Sequence, residues 1–298
     1  MGRLTVRVLG SAAGGGFPQW NCRCPVCALA WAGDGRVKPR TQAGIAISAG
    51  NGWTLVNASP DLGQQIRATP ELHPQSGARG SPIDAVVLTG AEIDQIAGLL
   101  SLREGTPFSL YATPASHAAV ASNAMFGALT AMARRAVNPG ERFMLPGEIA
   151  ASLFTVPGKA PLYLEGEAPE TAVESAGNVG VEFERAGAHV AFVPGAAAVS
   201  PAMLERFRRA DLILFDGTLF ADDEMLRMGI GTKTGRRMGH MPIDGADGTV
   251  RALQDLRARR IFIHINNSNP ILVEGSPERA KVEAAGWEVA EDGMEVTL

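Results

Sequence analysis

The chain holds three cysteines, all within six residues: Cys22, Cys24 and Cys27. This C-x-C-x-x-C spacing lets thiolates from one loop converge on a single soft cation. Zn²⁺ favours such a closed, tetrahedral, sulfur-rich site. An odd number of cysteines confined to one loop makes a poor disulfide framework. The same residues also read as small buried side chains or a redox pair. A fourth zinc ligand must come from elsewhere, and His264, His240, Asn267 and Asp61 are candidates.

A second set of reactive side chains stands where apolar runs end in polar residues. Ile83–Thr89 leads into Gly90-Ala91-Glu92-Ile93-Asp94-Gln95, and Leu212–Phe215 ends in Asp216-Gly217-Thr218. Arg260–Asn266 carries His264 and runs into Asn267-Ser268-Asn269-Pro270, while Met238-Gly239-His240 sits in a glycine-containing loop. Carboxylates, an amide and imidazoles at strand ends suit a hard or borderline divalent metal. Each also has a plainer reading. Asp94 or Glu92 could cap a helix starting near Ile96, and His264 could be a hydrogen-bonded core residue. His240 could bind phosphate or backbone. Asp222-Asp223-Glu224 reads as a solvated helix start.

The elements that must position these residues follow from periodicity and breakers. Leu4–Leu9 alternates as a first strand, followed by the glycine-rich loop Gly10–Gly16. Gly44–Ser48 and Thr54–Asn57 read as paired strands turning at Gly50-Asn51-Gly52. Helices are expected over Asp61–Ala68, Ile96–Arg103, residues 115–135, Pro201–Arg208, Thr249–Ala258 and Pro277–Ala285. Phe108–Ala112 reads as a strand, Val179–Glu184 and His189–Val193 as a hairpin closed at Ala186-Gly187, and Glu288–Leu298 as a hairpin turning at Asp292-Gly293. Strands come in groups with helices between, which favours two sheets under outer helices in one domain, 1–298, with the cysteine loop at 20–30. The glycine loop lacks the dinucleotide-binding register.

Composition excludes several classes. Of 298 residues, 27 are Lys or Arg and 31 Asp or Glu, for a net charge of −4, which leaves no basic footprint for nucleic acid. No apolar run is long enough to span a membrane. Arg7 interrupts the opening apolar stretch, so no secretory core is expected and the protein reads as cytoplasmic.

At these residues the sequence resembles the metallo-β-lactamase superfamily. Thr89–Gln95 takes the place of its T-H-x-H-x-D-H metal loop, with Gly90, Glu92 and Gln95 where histidines are expected and Asp94 retained. Val156-Pro157-Gly158-Lys159 stands where a P-G-H turn would add a histidine. Pro194-Gly195-Ala196 stands where a bridging aspartate is usual, and His264 matches the terminal metal histidine. Longer blocks resemble the pyrroloquinoline quinone (PQQ) biosynthesis protein B family: Gly10–Cys24, Asn57–Asp61, Gly98–Gly105, Phe215–Thr218, Gly231–Gly235 with Met238–His240, and His264–Pro270.

The resemblance implies an αββα sandwich of two mixed sheets flanked by helices, an α/β (α+β) architecture. It implies a structural zinc on Cys22, Cys24 and Cys27 near a homodimer interface, and a second metal site thought to hold Fe²⁺. It further implies an oxygenase that uses O₂ to hydroxylate the tyrosine ring of a Glu-Tyr unit cut from a precursor peptide. Asp94 and His264 would hold that metal, completed by Glu92 or Gln95, with Asp216 and His240 orienting substrate or ligands. With Gln95 in a histidine's place, an oxygen-rich set would also suit Mn²⁺ or Mg²⁺. Two other readings follow from the lost histidines: a carrier of PQQ or its precursor toward the periplasm, and a degenerate metallohydrolase holding one metal at best.

Overall fold

The computed structural model describes residues 2–50, 52–164 and 171–298. In chain order its strands begin with β1 (Thr5–Gly10), β2 (Gly44–Ser48), β3 (Trp53–Val56), β4 (Ile83–Val87), β5 (Phe108–Ala112), β6 (Met132–Ala136) and β7 (Arg142–Leu145). They continue with β8 (Ile149–Gly158), β9 (Val173–Arg185), β10 (Ala188–Val193), β11 (Leu212–Asp216), β12 (Arg259–Ile263), β13 (Trp287–Val289) and β14 (Glu295–Thr297). One sheet has the order β14-β1-β2-β3-β4-β5-β6, the other β13-β12-β11-β10-β9-β8-β7. In each, one half is parallel (β3 to β6, β10 to β13) and the other antiparallel.

The apolar runs of the sequence become strands buried on both faces, as parallel strands between two layers must be. β2 and β11 are buried at every residue. Ile45, Ile47 and Val87 of the first sheet meet Leu153, Phe192 and Leu214 of the second between the sheets. Outside the first sheet, Leu62, Leu99 and Val120 cover Leu55, Val86 and Leu110. Outside the second, Met203, Phe207 and Val282 cover Ile213, Phe215 and Phe262. The outcome is a helix–sheet–sheet–helix sandwich. Three of its outer helices begin alike. Thr113, Ser200 and Ser276 each precede a proline, and their hydroxyls accept from the N–H of Ser116, Met203 and Arg279. A capping oxygen followed by a φ-restricted residue is a strong helix start.

Some expected elements differ. The helix expected over 115–135 ends at Ala121, because Asn123 caps a short 3₁₀ turn and Met132–Ala136 pairs in parallel with β5. Thr249–Ala258 is helical only over Thr249–Ala252, and Ile96–Arg103 is a 3₁₀ segment over Ala97–Leu102 following the short helix Ile93–Ile96. The expected C-terminal hairpin is absent: β13 pairs with β12 in the second sheet, and β14 with β1 in the first. Asp292 fixes this crossing by accepting from the Thr41 N–H, the Thr41 hydroxyl and the Ser11 hydroxyl. In the turn at Gly50-Asn51-Gly52, Asn51 lies outside the described residues.

Parallel strands aim their carboxyl ends at one edge, where open α/β sheets place their sites. β4, β10, β11 and β12 end together there, and β4, β11 and β12 each run into one of the polar segments singled out in the sequence.

Candidate functional site

A cleft of about 970 Å³ lies at these strand ends. Its lining includes both Asp94, His240 and His264 and Cys22, Cys24 and Asn267.

The first cluster is assembled from distant segments. β11 delivers Asp216, which is fully buried. His264 follows β12 with a left-handed backbone (φ 57°), which turns the chain sharply out of the sheet. Asp94 lies on the helix Ile93–Ile96. His264 Nε2 is 2.9 Å from Asp94 Oδ2, and His240 Nδ1 is 2.7 Å from Asp216 Oδ2. The two imidazoles stack with centroids 5.3 Å apart. The Thr218 hydroxyl donates to Asp216 Oδ1 at 2.6 Å and lies 3.0 and 2.9 Å from Nδ1 of His240 and His264. Ligand atoms of Asp216, His240 and His264 fall within 4.8 Å of one another.

Burial pushes both carboxyl groups toward neutrality, but the facing imidazoles win. The hydrogen bond and charge of His264, with the charge of His240, hold Asp94 below the usual carboxylate range. The charge and hydrogen bond of His240 do the same for Asp216. Burial opposes charge on His264, yet the hydrogen bond and charge of Asp94, with the charge of Asp216, hold its imidazole above its ordinary value. Two carboxylates facing two imidazoles present lone pairs for which protons and a divalent cation compete. The donor set suits a borderline metal such as Fe²⁺, Mn²⁺ or Zn²⁺.

The structure brings Asp94, Asp216, His240 and His264 together. It does not bring Gln95 to them. Gln95 Oε1 accepts from the Glu92 N–H at 3.0 Å, and Nε2 donates to Thr89 Oγ1 at 3.3 Å. A Cβ at Gly90 would lie 2.5 Å from Gln95 Oε1, so the amide folds over the glycine. Glu92 is turned to Lys159, with Nζ 3.0 Å from Oε1. Two positions expected to carry metal histidines thus carry an ion pair. A third expectation also changes. Ala196 stands where a bridging aspartate is usual, and its N–H donates to Asp216 Oδ2 at 2.9 Å, so the carboxylate beside it comes from β11. Thr218 escaped notice as a contact of both histidines. Its signal was the Asp-Gly-Thr run at the end of a buried strand.

The cysteine cluster is local. Cys24 caps the helix Pro25–Trp31, its sulfur accepting from the Cys27 N–H at 3.4 Å, and Cys22 Sγ accepts from the Cys24 N–H at 3.4 Å. The three sulfurs lie within 4.8 Å of one another. Burial pushes the Cys24 thiol up to about 12, against the Cys27 N–H, and raises Cys27 as well. Three sulfurs within this distance, those of Cys24 and Cys27 buried, fit a thiophilic cation, which would displace their protons. Of the four candidate partners, Asn267 is at the cluster: Nδ2 lies 3.1 Å from Cys22 Sγ and 3.3 Å from Cys27 Sγ. Asp61 instead accepts from Gln42, and both histidines belong to the first cluster.

A beta-lactamase superfamily domain model matches residues 52–265, in keeping with the sandwich and the site at its strand ends. Coenzyme PQQ synthesis protein B of Methylorubrum extorquens is 52% identical over 299 residues, covering 99% of this chain and all of that protein. The protein of that name from Methylobacterium nodulans is 53% identical over 98% of this chain and 99% of its own. The crystal structure of Zn²⁺-bound PqqB from Methylobacterium extorquens superposes with a TM-score of 0.97 at 51% identity, covering 99% of this chain and 100% of that one. The chain belongs to the coenzyme PQQ synthesis protein B family.

Proposed function

We propose that this protein acts in PQQ biosynthesis as a metal-dependent hydroxylase. It would take a small tyrosine-containing peptide, a Glu-Tyr unit of the precursor, and O₂. The observation that carries the reading is that Asp216, His240 and His264 bring ligand atoms within 4.8 Å of one another with Asp94 against His264, while other positions expected to hold metal histidines carry the Glu92–Lys159 ion pair and the Gln95 cap. That set fits one metal with open positions better than the paired metals of hydrolysis.

Asp94, His264, His240 and Asp216 would hold Fe²⁺, and Cys22, Cys24 and Cys27 a zinc ion. Bound iron supplies the redox chemistry toward O₂. The protein's own groups do the rest. Thr218 lies between the two imidazoles and fixes their orientation, a partner contact that keeps a ligand in place. Asp216 takes the Ala196 and Thr218 N–H groups, so its carboxylate is locked before any ligand arrives. The cleft walls hold the peptide against these groups. The reading also takes the protein to be cytoplasmic and dimeric. No helix of the described residues is long and apolar enough to cross a membrane.

Loading the protein anaerobically with Fe²⁺ and adding Glu-Tyr peptide, a reductant and O₂ tests this. The expected product is the peptide heavier by one oxygen atom on the tyrosine ring. Equal product without metal, or none with it, overturns the hydroxylase. Tight metal-independent binding without turnover would leave a carrier in its place.

A further inference from the structure

The two clusters share one short segment. His264 and Asn267 are three residues apart, and residues 264–269 touch both sites. His264 faces Asp94 at 2.9 Å. Asn267 directs its amide at Cys22 Sγ and Cys27 Sγ, and its main-chain oxygen lies 3.7 Å from Cys24 Sγ and Cys27 Sγ. Between them, Ile265 is gripped on both sides, its N–H donating to Ser11 O at 2.9 Å and its carbonyl accepting from the Ala13 N–H at 2.8 Å. Asn269 Nδ2 donates to Gly217 O at 2.9 Å, beside Thr218. Asn266 Nδ2 reaches Ser268 Oγ at 2.6 Å. His264 starts this segment in a left-handed backbone, a conformation that persists for a non-glycine residue only when its surroundings enforce it.

We propose that Asn267 is a positioning residue that couples the two sites: a cation on Cys22, Cys24 and Cys27 fixes the segment 264–269 and so holds His264 in place to bind metal opposite Asp94. The physical basis is that thiolates on a cation accept hydrogen bonds more strongly than neutral thiols. Filling the cysteine site therefore tightens the Asn267 amide contacts. Three residues of a segment pinned at Ile265 and Asn269 carry that constraint to the imidazole. Coupling of this kind is reciprocal, so metal opposite Asp94 must raise zinc affinity at the cysteines by the same factor. The proposal needs only the two metal sites and is independent of the hydroxylase reading.

Mn²⁺ is a suitable probe, since it prefers oxygen and imidazole donors to thiolates. Its binding is followed by electron paramagnetic resonance on zinc-loaded and zinc-stripped protein, with hydrogen exchange of residues 264–269 measured in parallel. Zinc is expected to tighten Mn²⁺ at least about five-fold, the lower end of ordinary coupling, and to slow exchange in this segment. In Asn267→Ala brought to the zinc content of wild type, as checked by elemental analysis, Mn²⁺ weakens by that factor and exchange stays fast. Equal Mn²⁺ affinity and equal exchange with and without zinc overturn the proposal, and so does wild-type behaviour in Asn267→Ala. If stripping unfolds the protein, the zinc-loaded variant decides by itself. If Mn²⁺ binds in no state, the exchange rates decide.

Discussion

The two clusters line one cleft but are built by opposite routes. The cysteine cluster comes from six consecutive residues, whose own loop gives its sulfurs two N–H bonds, with Asn267 as their distant partner. The Asp94, Asp216, His240 and His264 cluster joins residues up to 170 positions apart, and its His264–Asp94 contact forms only when both sheets are in place. The first is a local device that a cation can complete. The second is a product of the whole fold and exists only as precisely as strand ends are aligned. Replacing a cysteine should therefore cost metal at one place, whereas replacing a strand-end residue should disturb packing as well.

Cys24→Ser gives the sharpest break. It removes a sulfur ligand but leaves a hydroxyl able to cap the helix Pro25–Trp31, so the loss reports on the metal rather than on the helix start. Zinc, measured by elemental analysis, should fall from one per chain to none at that site. Stability should fall by several kcal/mol, because structural zinc carries on the order of 10 kcal/mol in small domains. Full zinc content and an unchanged melting temperature would remove the structural-site reading.

Asp216→Asn tests the other cluster. Asp216 is fully buried and accepts from Ala196, Thr218 and His240. Removing one partner of a buried pair costs about 3–5 kcal/mol. Metal affinity at the Asp94 and His264 site should drop more than about 100-fold, beyond the 10–100-fold typical of a group that only orients a ligand. A smaller loss would make Asp216 an orienting residue, and metal titration distinguishes the two.

This contrast also explains what could be read from sequence. Cys22, Cys24 and Cys27 needed no fold to be recognised, because their spacing alone sets their separation. Asp94 and His264 were legible as polar ends of buried strands, and the sandwich from the grouping of strands. That Asp216 would fill the place facing Ala196 was not legible, since it depends on the parallel register of β10 and β11. β14 was misplaced for a similar reason: three residues, Glu295–Thr297, carry no sign of which sheet they join, and the choice falls to Asp292 and its bonds to Thr41 and Ser11. Glu224 was read with Asp222 and Asp223 as a solvated helix start. In the structure it is buried, accepting from Ser268 Oγ at 2.5 Å and the Phe220 N–H at 2.8 Å.

That buried carboxyl gives a pH signature of its own. Burial raises Glu224 from 4.5 to about 7, against the bonds from Ser268 and Phe220. Between those values the folded chain binds more protons than the unfolded one. Stability therefore falls as pH rises from about 4.5 to about 7 and levels off above, by about 3 kcal/mol in all. Urea unfolding of wild type and Glu224→Gln at pH 5, 6 and 8 should show this slope in wild type and a flatter one in the variant. Parallel slopes would mean that the charge is accommodated at no cost.

The smallest effect separates the clusters most finely. Gln95 stands where a metal histidine is expected, beside Asp94, yet its amide is committed to the Glu92 N–H and Thr89 Oγ1. Gln95→Ala removes those two contacts and no ligand. The expected cost is about 1 kcal/mol, the net worth of such hydrogen bonds, with metal affinity at the Asp94 and His264 site unchanged within two-fold. Were Gln95 a ligand, affinity would fall ten-fold or more while stability hardly moved. Chemical denaturation and metal titration on one variant thus read opposite ways for a cap and for a ligand. The cap reading has a structural reason: an amide folded over Gly90 leaves the metal to groups delivered by β11, β12 and the His240 loop, so this cluster owes its donors to the second sheet and takes only Asp94 from the first.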